Sequence, residues 1–446
     1  MLLPPSLATF LHGATTVQWI ALAMTTAWKD IYGHRKAGKP EFTKDPSFFD
    51  ASANGEQDII RADKATHSRF RKVFSNSFCD RALKQQESLL KQHVNKLIRN
   101  LTDQAKKGSP VDMAKQYNFT TFDIMADLTF SESLGLLDGN DYNDWVRAIV
   151  NNWQFIVVMR MLKSYKKLFT IISRVLPKKW QEGRLKLFSY AVERVDRRLE
   201  RGTTKSDIWD QMQQRDASIT VSEMHANAEI FIIAGSETTA TPLSGLTYYL
   251  LTNPDTMEKL KQEIRTACPT EEDITVERLQ ELKYLHACVE EGFRHYSPSV
   301  IGHVRIVPEK GAFVCGSWMP GGTKVSVPHY VAYHSPANFT RPHEFIPERW
   351  IDTDGEFASD KRDILQPFSY SPRNCISKNL AYHEIRVILA SVLQKFDLKL
   401  RPECAHWNKQ KVWVVYAKPA LLCKLIPHRK ESKIVDDCLR NVNIIS

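Results

Sequence analysis

The stretch that decides the fold runs Pro367-Phe368-Ser369-Tyr370-Ser371-Pro372-Arg373-Asn374-Cys375-Ile376-Ser377-Lys378-Asn379. Turn-forming Ser, Pro and Asn residues deliver a single cysteine to the start of a segment, Leu380 to Lys395, that reads as a helix. A thiol there faces the positive end of the helix dipole and has Arg373 two residues before it. Both effects favour the thiolate, the form that ligates metal. An isolated cysteine can equally be a small packing residue, so the rest of the chain has to choose between the two.

Working outward, a long helix is expected from about Ser222 to Leu251, carrying Ile230-Phe231-Ile232-Ile233-Ala234-Gly235-Ser236-Glu237-Thr238-Thr239. Gly235 weakens it, and Glu237 is costly to bury without a purpose. Thr238 can return its hydroxyl to the carbonyl of Ala234, opening the helix locally beside a small residue. The result would be a groove with an acid and an alcohol at its rim, able to hold oxygen and deliver protons. The plainer alternative is a kinked helix with a solvated glutamate. Pro242 opposes the carbonyl of Thr238 and adds a second weak point.

Other segments carry less on their own. His67 and Arg71 are four apart in a helical stretch from 64 to 107 and share a face; the pair suits a carboxylate or phosphate, or simply faces solvent. Glu291 and Arg294 read as a helical ion pair. Residues 300 to 330 alternate apolar and polar between Gly and Pro turns and read as a small antiparallel sheet. Phe396–Leu400 and Lys411 to Leu425 read as strands. The segment 110 to 220 is mostly helical by its spacing, and Met161 to Trp180 mixes basic and aromatic residues in a way that suits a membrane surface or a solvated amphipathic pair.

Taken together, these strings resemble the cytochrome P-450 family. The cysteine loop matches Phe-x-x-Gly-x-Arg-x-Cys-x-Gly at Phe368, Arg373 and Cys375, with Ser371 and Ser377 where the pattern has glycine. The 234–239 string matches the family's oxygen-groove signature. Glu-x-x-Arg at Glu291 and Arg294, and Pro-Glu-Arg-Trp at 347–350, follow in the family's order. The resemblance implies a mainly α fold, a helical haem domain with a small β-rich region, in which haem lies between the Thr238 helix and the Cys375 loop. It implies Cys375 as axial thiolate and Thr238 and Glu237 as the catalytic proton relay. It assigns His67, Arg71 and Arg305 to the haem propionates, and Phe368 and Arg373 to the cofactor loop. It also implies a buried Glu291–Arg294–Arg349 triad behind the haem, and a turn at Tyr416–Ala420 that reaches into the active-site pocket. Ser371 is expected to carry strain, because positive φ is unfavourable with a Cβ, and Ser377 to offer its hydroxyl to sulfur.

Function follows the same resemblance. The expectation is a monooxygenase that puts one atom of O2 into a hydrophobic small molecule of fungal secondary metabolism. Electrons would come from an NADPH-dependent flavoprotein reductase docking on the basic thiolate side, at Arg69, Lys72, Lys378 and Arg386. A reductase-independent rearrangement or coupling enzyme, or an impaired haem-binding relic, is the alternative. Residues 1–27 carry no charged side chain and read as a leader, either membrane anchor or remnant; 28–446 read as one haem domain. In the family the segment from Trp28 lies well downstream of an anchor and the first strands, so the expectation here is either a short N-terminal portion or a misassigned or rearranged start. An endoplasmic reticulum membrane location, facing the cytosol, goes with that family.

Composition is consistent with this. A hydrophobic fraction of 43% and a charged fraction of 25% suit a globular chain. The net charge of +10 comes without a nucleic-acid motif and favours an acidic partner or an anionic membrane surface. The eight cysteines form no Cys-x-x-Cys pair, which argues against a zinc ribbon or disulfide framework.

Overall fold

The long helix forms as the sequence predicts, one residue longer at each end, as Val221–Thr252. In the computed structural model its start is fixed by a capping box, Thr220 with Glu223, which satisfies two backbone donors reciprocally. The structure describes residues 7–10, 19–35, 40–46, 52–151, 153–163, 165, 169–170, 178–202, 207–210, 219–413 and 415–428.

Among these the helices are α1 (Thr25–Tyr32), α2 (Lys64–Phe74), α3 (Asp80–Lys107), α4 (Met113–Phe130), α5 (Leu136–Gly139), α6 (Asp144–Asn151), α7 (Trp153–Lys163) and α8 (Lys178–Arg201). The long helix is α9, followed by α10 (Pro254–Ala267), α11 (Val276–Glu281), α12 (Lys283–His295), α13 (His329–Tyr333) and α14 (Lys378–Lys395). Helix α9 runs through the core: Leu243, Leu246 and Leu250 are buried on one side and Met224, Ala228 and Phe231 along its first half. Helix α4 is buried on all faces apart from Lys115, and its buried polar groups find partners, Asp123 accepting from the Leu136 and Leu137 N–H groups at 3.2 and 2.9 Å. Helix α3 is amphipathic instead, burying Leu83, Leu90, Val94, Leu97 and Leu101 at helical spacing.

The β structure is small and peripheral. Strands β1 (Leu7–Phe10), β2 (Trp19–Leu22), β3 (Thr43–Lys44), β5 (Arg305–Ile306) and β8 (Lys324–Ser326) form one sheet in the order β1-β2-β8-β5-β3. All its pairs are antiparallel except β2 with β8. Strands β4 (Val111–Asp112), β9 (Phe396–Leu400) and β10 (Leu422–Pro427) form a second sheet. Strands β6 (Ala312–Val314) and β7 (Ser317–Met319) form a hairpin of their own.

Three expectations change. The 300 to 330 region divides between two sheets, because β5 and β8 each find a partner strand from near the N-terminus. The uncharged leader contributes β1 and β2, so first strands do precede Trp28; no helix among the described residues is long and apolar enough to cross a membrane. Of the strand expected over Lys411 to Leu425, only β10 forms. The preceding residues fold into a turn held by Ala417 N–H donating to Lys411 O, at 2.9 Å, and by Tyr416 stacked 3.9 Å from Tyr296. Contact with α9 and α12 outweighs the strand preference of the segment. The basic–aromatic stretch Met161 to Trp180 lies largely outside the described residues.

Candidate active site

The cysteine loop ends on α14, with Ser377 as its N-cap residue, so Cys375 sits just ahead of the helix as the sequence suggests. The loop is pinned from inside: Cys375 N–H donates to Phe368 O at 2.8 Å. Ser371 adopts φ 59° and Ser369 φ 62°, both left-handed. The first was expected from the missing glycine; the second was not. A side chain in this region costs about 1–2 kcal/mol, and the loop's contacts maintain it. Ser377 Oγ lies 3.4 Å from Cys375 Sγ.

Across a central cavity stands α9. Thr238 Oγ1 donates to Ala234 O at 2.5 Å, as the sequence predicts, and Thr239 Oγ1 donates to Gly235 O at 2.9 Å. Pro242 brings no N–H to the carbonyl of Thr238, so this turn of the helix is weakened twice. Ala234, Gly235 and Thr238 line the cavity opposite Cys375, and Ile59, Ile60, Ile230 and Phe231 make its apolar part. The space beside Gly235 is not an open groove: a Cβ there would come within 2.7 Å of Met125 Sδ, so the Met125 thioether fills it.

One end of the cavity is cationic. His67 and Arg71 of α2, Lys44 of β3, His303, Arg305 of β5 and Arg373 all line it. Arg71 is committed to the cysteine loop, donating to Asn374 O and Asn374 Oδ1 at 2.6 Å each. Arg373 donates to Ala62 O at 2.9 Å, and Arg305 to Val304 O at 3.2 Å. Arg71 thus holds the residue next to Cys375, whereas Arg373 ties the loop to the segment before α2. Burial, reinforced by Arg373 and Arg305, pulls Lys44 down to about 7. Burial, with Arg373, Lys44 and Arg71, pulls His67 down to about 4; burial with Arg305 does the same to His303. Among the described residues Glu384 is the one carboxylate in the cavity lining, and Asp58, Glu41 and Asp63 act on the cations from outside it. Clustered cations that depress one another are the signature of a site built for an anion. Lys44 and His303 were missed in the sequence. His303 stands two residues before Arg305, the spacing that puts extended residues on one face; Lys44 is visible only through its cross-strand pairing with Arg305.

Behind the cavity the expected triad is complete. Glu291 Oε1 accepts from Arg294 at 2.8 Å and from Arg349 Nε at 3.2 Å, and all three side chains are fully buried. Glu291 Oε2 accepts from Arg294 Nε at 2.8 Å and Trp350 Nε1 at 2.9 Å. Glu384 of α14 also borders the cavity, with both oxygens lacking a partner among the described residues, and burial pushes its carboxyl well up.

Two expectations about the distal side are corrected. Glu237 does not line the central cavity. It turns to the opposite side of α9 and pairs with Lys418. The Tyr416–Ala420 turn likewise stays out of the central cavity, its residues through Pro419 walling a separate recess on that far side. On the proposed reductase face, Lys72 and Lys378 are exposed, whereas Arg69 is engaged by Glu223 and Arg386 contacts His286 at 3.1 Å.

A thiol at a helix start, an opposed hydroxyl on a locally opened helix and an anion-seeking cation cluster all face one cavity. Such a set fits a flat, dianionic metal macrocycle ligated by sulfur. Comparison with known proteins agrees. The model of the family described as Cytochrome P-450 matches residues 15–424. Cytochrome P-450 monooxygenase efuB of Hormonema carpetanum is 44% identical over 406 residues, 90% of this chain and 80% of that one. Cytochrome P-450 monooxygenase astJ of Aspergillus oryzae is 40% identical over 90% of this chain and 81% of its own length. Cytochrome P-450 monooxygenase FUM2 of Gibberella moniliformis is 40% identical over 92% and 88%.

Proposed function

We propose, from the premise that this chain belongs to the cytochrome P-450 family, that it inserts one atom of O2 into a hydrophobic small molecule of fungal secondary metabolism. Membership makes the protein a haem-dependent oxidoreductase of the monooxygenase class. The observation that carries the finer reading is Cys375 and Thr238 facing each other across one cavity whose apolar part is formed by Ile59, Ile60, Ile230 and Phe231. When bound, the haem supplies reductive activation of O2, with the thiolate favouring O–O cleavage.

The chain's own residues do the rest. Cys375 would hold the haem iron through its thiolate, and Ser377 stands within reach of its sulfur to withdraw electron density through a hydrogen bond. His67, Arg71, Arg305 and Lys44 would receive the propionates, and Arg71 also holds the cysteine loop through Asn374. Arg373 belongs to the same loop, and Phe368 packs edge-on against Phe293 at 5.1 Å beneath it. Thr238 keeps a hydroxyl in the cavity, and Glu237, its neighbour in sequence, supplies protons from the far side of the helix. The apolar wall excludes water and orients the substrate.

An NADPH-dependent flavoprotein reductase is the electron donor in this reading, meeting the exposed Lys72 and Lys378 on the thiolate side. Association with the cytosolic face of the endoplasmic reticulum membrane fits that partner. The test is turnover of purified holoprotein with a fungal reductase, NADPH and isotopically labelled O2 against a panel of apolar polyketides, terpenoids and alkaloids. The reading expects one labelled oxygen atom in a product. Products that form without NADPH or reductase, and carry no label from O2, would replace it with a reductase-independent reaction.

A further inference from the structure

A buried asparagine near the start of α9 holds a distant part of the chain in place. Asn227 is fully buried. Its Oδ1 accepts from the Ile59 N–H at 2.9 Å, and its Nδ2 donates to Glu223 O at 2.8 Å. A buried amide costs free energy unless it is bonded, and an apolar residue here would leave the Ile59 N–H without this partner. Side chains make the neighbouring ties as well: Asn54 Nδ2 donates to Ser222 O at 2.9 Å, and Ser52 Oγ to Glu229 Oε2 at 3.4 Å.

The segment held in this way is fixed on several sides where it meets the cavity. Asp58, also fully buried, accepts from the Ile60 and Arg61 N–H groups at 2.8 and 2.9 Å. Lys44 binds Ile60 O, and Arg373 binds Ala62 O at 2.9 Å. Between these ties, Ile59 and Ile60 enter the apolar part of the cavity. The residues that α9 gives to the lining run from Ile230 to Thr239. Asn227 lies one turn before Ile230 and Phe231, on the same helix face. Ile59, bonded to Asn227, therefore closes the cavity toward the N-terminal end of α9, while Thr238 stands near the other end. From Asn227 to Thr238 is about 16 Å along the helix axis.

We propose that Ile59 is the stop that limits how far a substrate extends along α9 from Thr238, and that Asn227 is the residue that positions it. The geometry fits an elongated apolar molecule laid along the Phe231 and Ala234 face, with its far end against Ile59. Asn227 touches no substrate in this arrangement and acts through the Ile59 backbone. The inference rests on the reading of the central cavity as the substrate chamber of a haem monooxygenase.

The test needs no identified substrate. N-alkylimidazoles, whose free ring nitrogen ligates haem iron and shifts the Soret band, are titrated into holoprotein with tails from methyl to dodecyl. In the wild type, affinity is expected to rise with tail length and to fall once the tail meets Ile59. I59A and N227A should each move the optimum to longer tails, tightening dodecyl several-fold relative to hexyl and leaving methyl unchanged. I59W should move it to shorter tails. The double variant N227A/I59A should move it no further than I59A alone, because both changes act through one contact. N227D, which keeps an acceptor for the Ile59 N–H, should stay near wild type. Hydrogen exchange at the Ile59 amide should quicken in N227A and not in N227D. If N227A does not retain haem, N227S, too short to reach the Ile59 amide, decides alone. A merely structural asparagine would lower thermal stability and change affinity for every tail by one factor, which would overturn the proposal. So would a wild-type affinity that keeps rising to dodecyl. No Soret response of the wild type to imidazole itself would instead remove the haem-site reading beneath it.

Discussion

Replacing Glu291 with Gln removes one charge from the centre of the buried triad and little else. Glu291 accepts from Arg294 twice, from Arg349, from Trp350 Nε1 and from the Ile346 N–H at 2.8 Å. Burial alone would raise its carboxyl, but the charge and hydrogen bonds of Arg294, then His295, hold it well below the usual range. In E291Q the amide nitrogen meets donors where it should meet acceptors, and two guanidinium groups are left with Asp360 as the remaining carboxylate partner of Arg349. Breaking a buried pair of this kind costs about 3–5 kcal/mol. With an unfolding entropy of about 2.1 cal/mol/K per residue over the chain, that is a fall in Tm of roughly 3–5 °C. Calorimetry and guanidinium titration of wild type and variant would measure it. The effect also has a pH signature. A carboxyl whose folded pKa is depressed contributes stability that is complete above the unfolded value of about 4.3 and is lost as pH falls through the folded value. The gap between wild type and E291Q should therefore be widest above pH 5 and close in acid. Equal melting temperatures at pH 7, or a gap that does not change with pH, would refute the reasoning.

Other perturbations follow from the cavity. Because Lys44 is pulled down to about 7 by burial and its cationic neighbours, arrival of the haem carboxylates should raise it again. Binding of haem to apoprotein should then take up protons near pH 7 and weaken as pH rises to 9, which calorimetry in buffers of different ionisation enthalpy would show. S371G relieves a side chain at φ 59° and should increase haem occupancy with a stability gain of about 1 kcal/mol; unchanged occupancy would mean the loop carries no strain that matters. S377A removes the 3.4 Å contact to sulfur and should lower the reduction potential measured by spectroelectrochemistry. G235A drives a methyl into Met125 and should cost about 1–3 kcal/mol, with M125A restoring stability in the double variant.

Much of the site was legible because it is local. The Thr238 hydroxyl reaches a carbonyl four residues back, Cys375 meets a helix it immediately precedes, and Ser371 replaces a glycine in a turn that needs positive φ. The triad was legible through resemblance alone, since Arg349 lies far from Glu291 in sequence. What escaped reading depends on pairings between distant segments. Lys44 joins the cation cluster only because β3 lies against β5. Lys418 reaches Glu237 across 181 positions of chain, and nothing in Ala417-Lys418-Pro419 announces a partner. The direction of Glu237 was misread for a related reason. Glu237 and Thr238 are adjacent in sequence, but consecutive residues of a helix point about 100° apart, so an acid beside the alcohol in the sequence faces the opposite chamber. Likewise the 411–421 segment has strand-forming residues, yet packing of Tyr416 on Tyr296 turns it.

The central claim is that Cys375 ligates haem through a thiolate in the cavity facing Thr238. The absorption spectrum of purified, reduced protein with and without carbon monoxide tests it most directly, on wild type and on C375A. A strongly red-shifted Soret band in the wild type, lost in C375A, is the predicted result. Folded wild-type protein with no haem band, or a red-shifted band that survives in C375A, would contradict it.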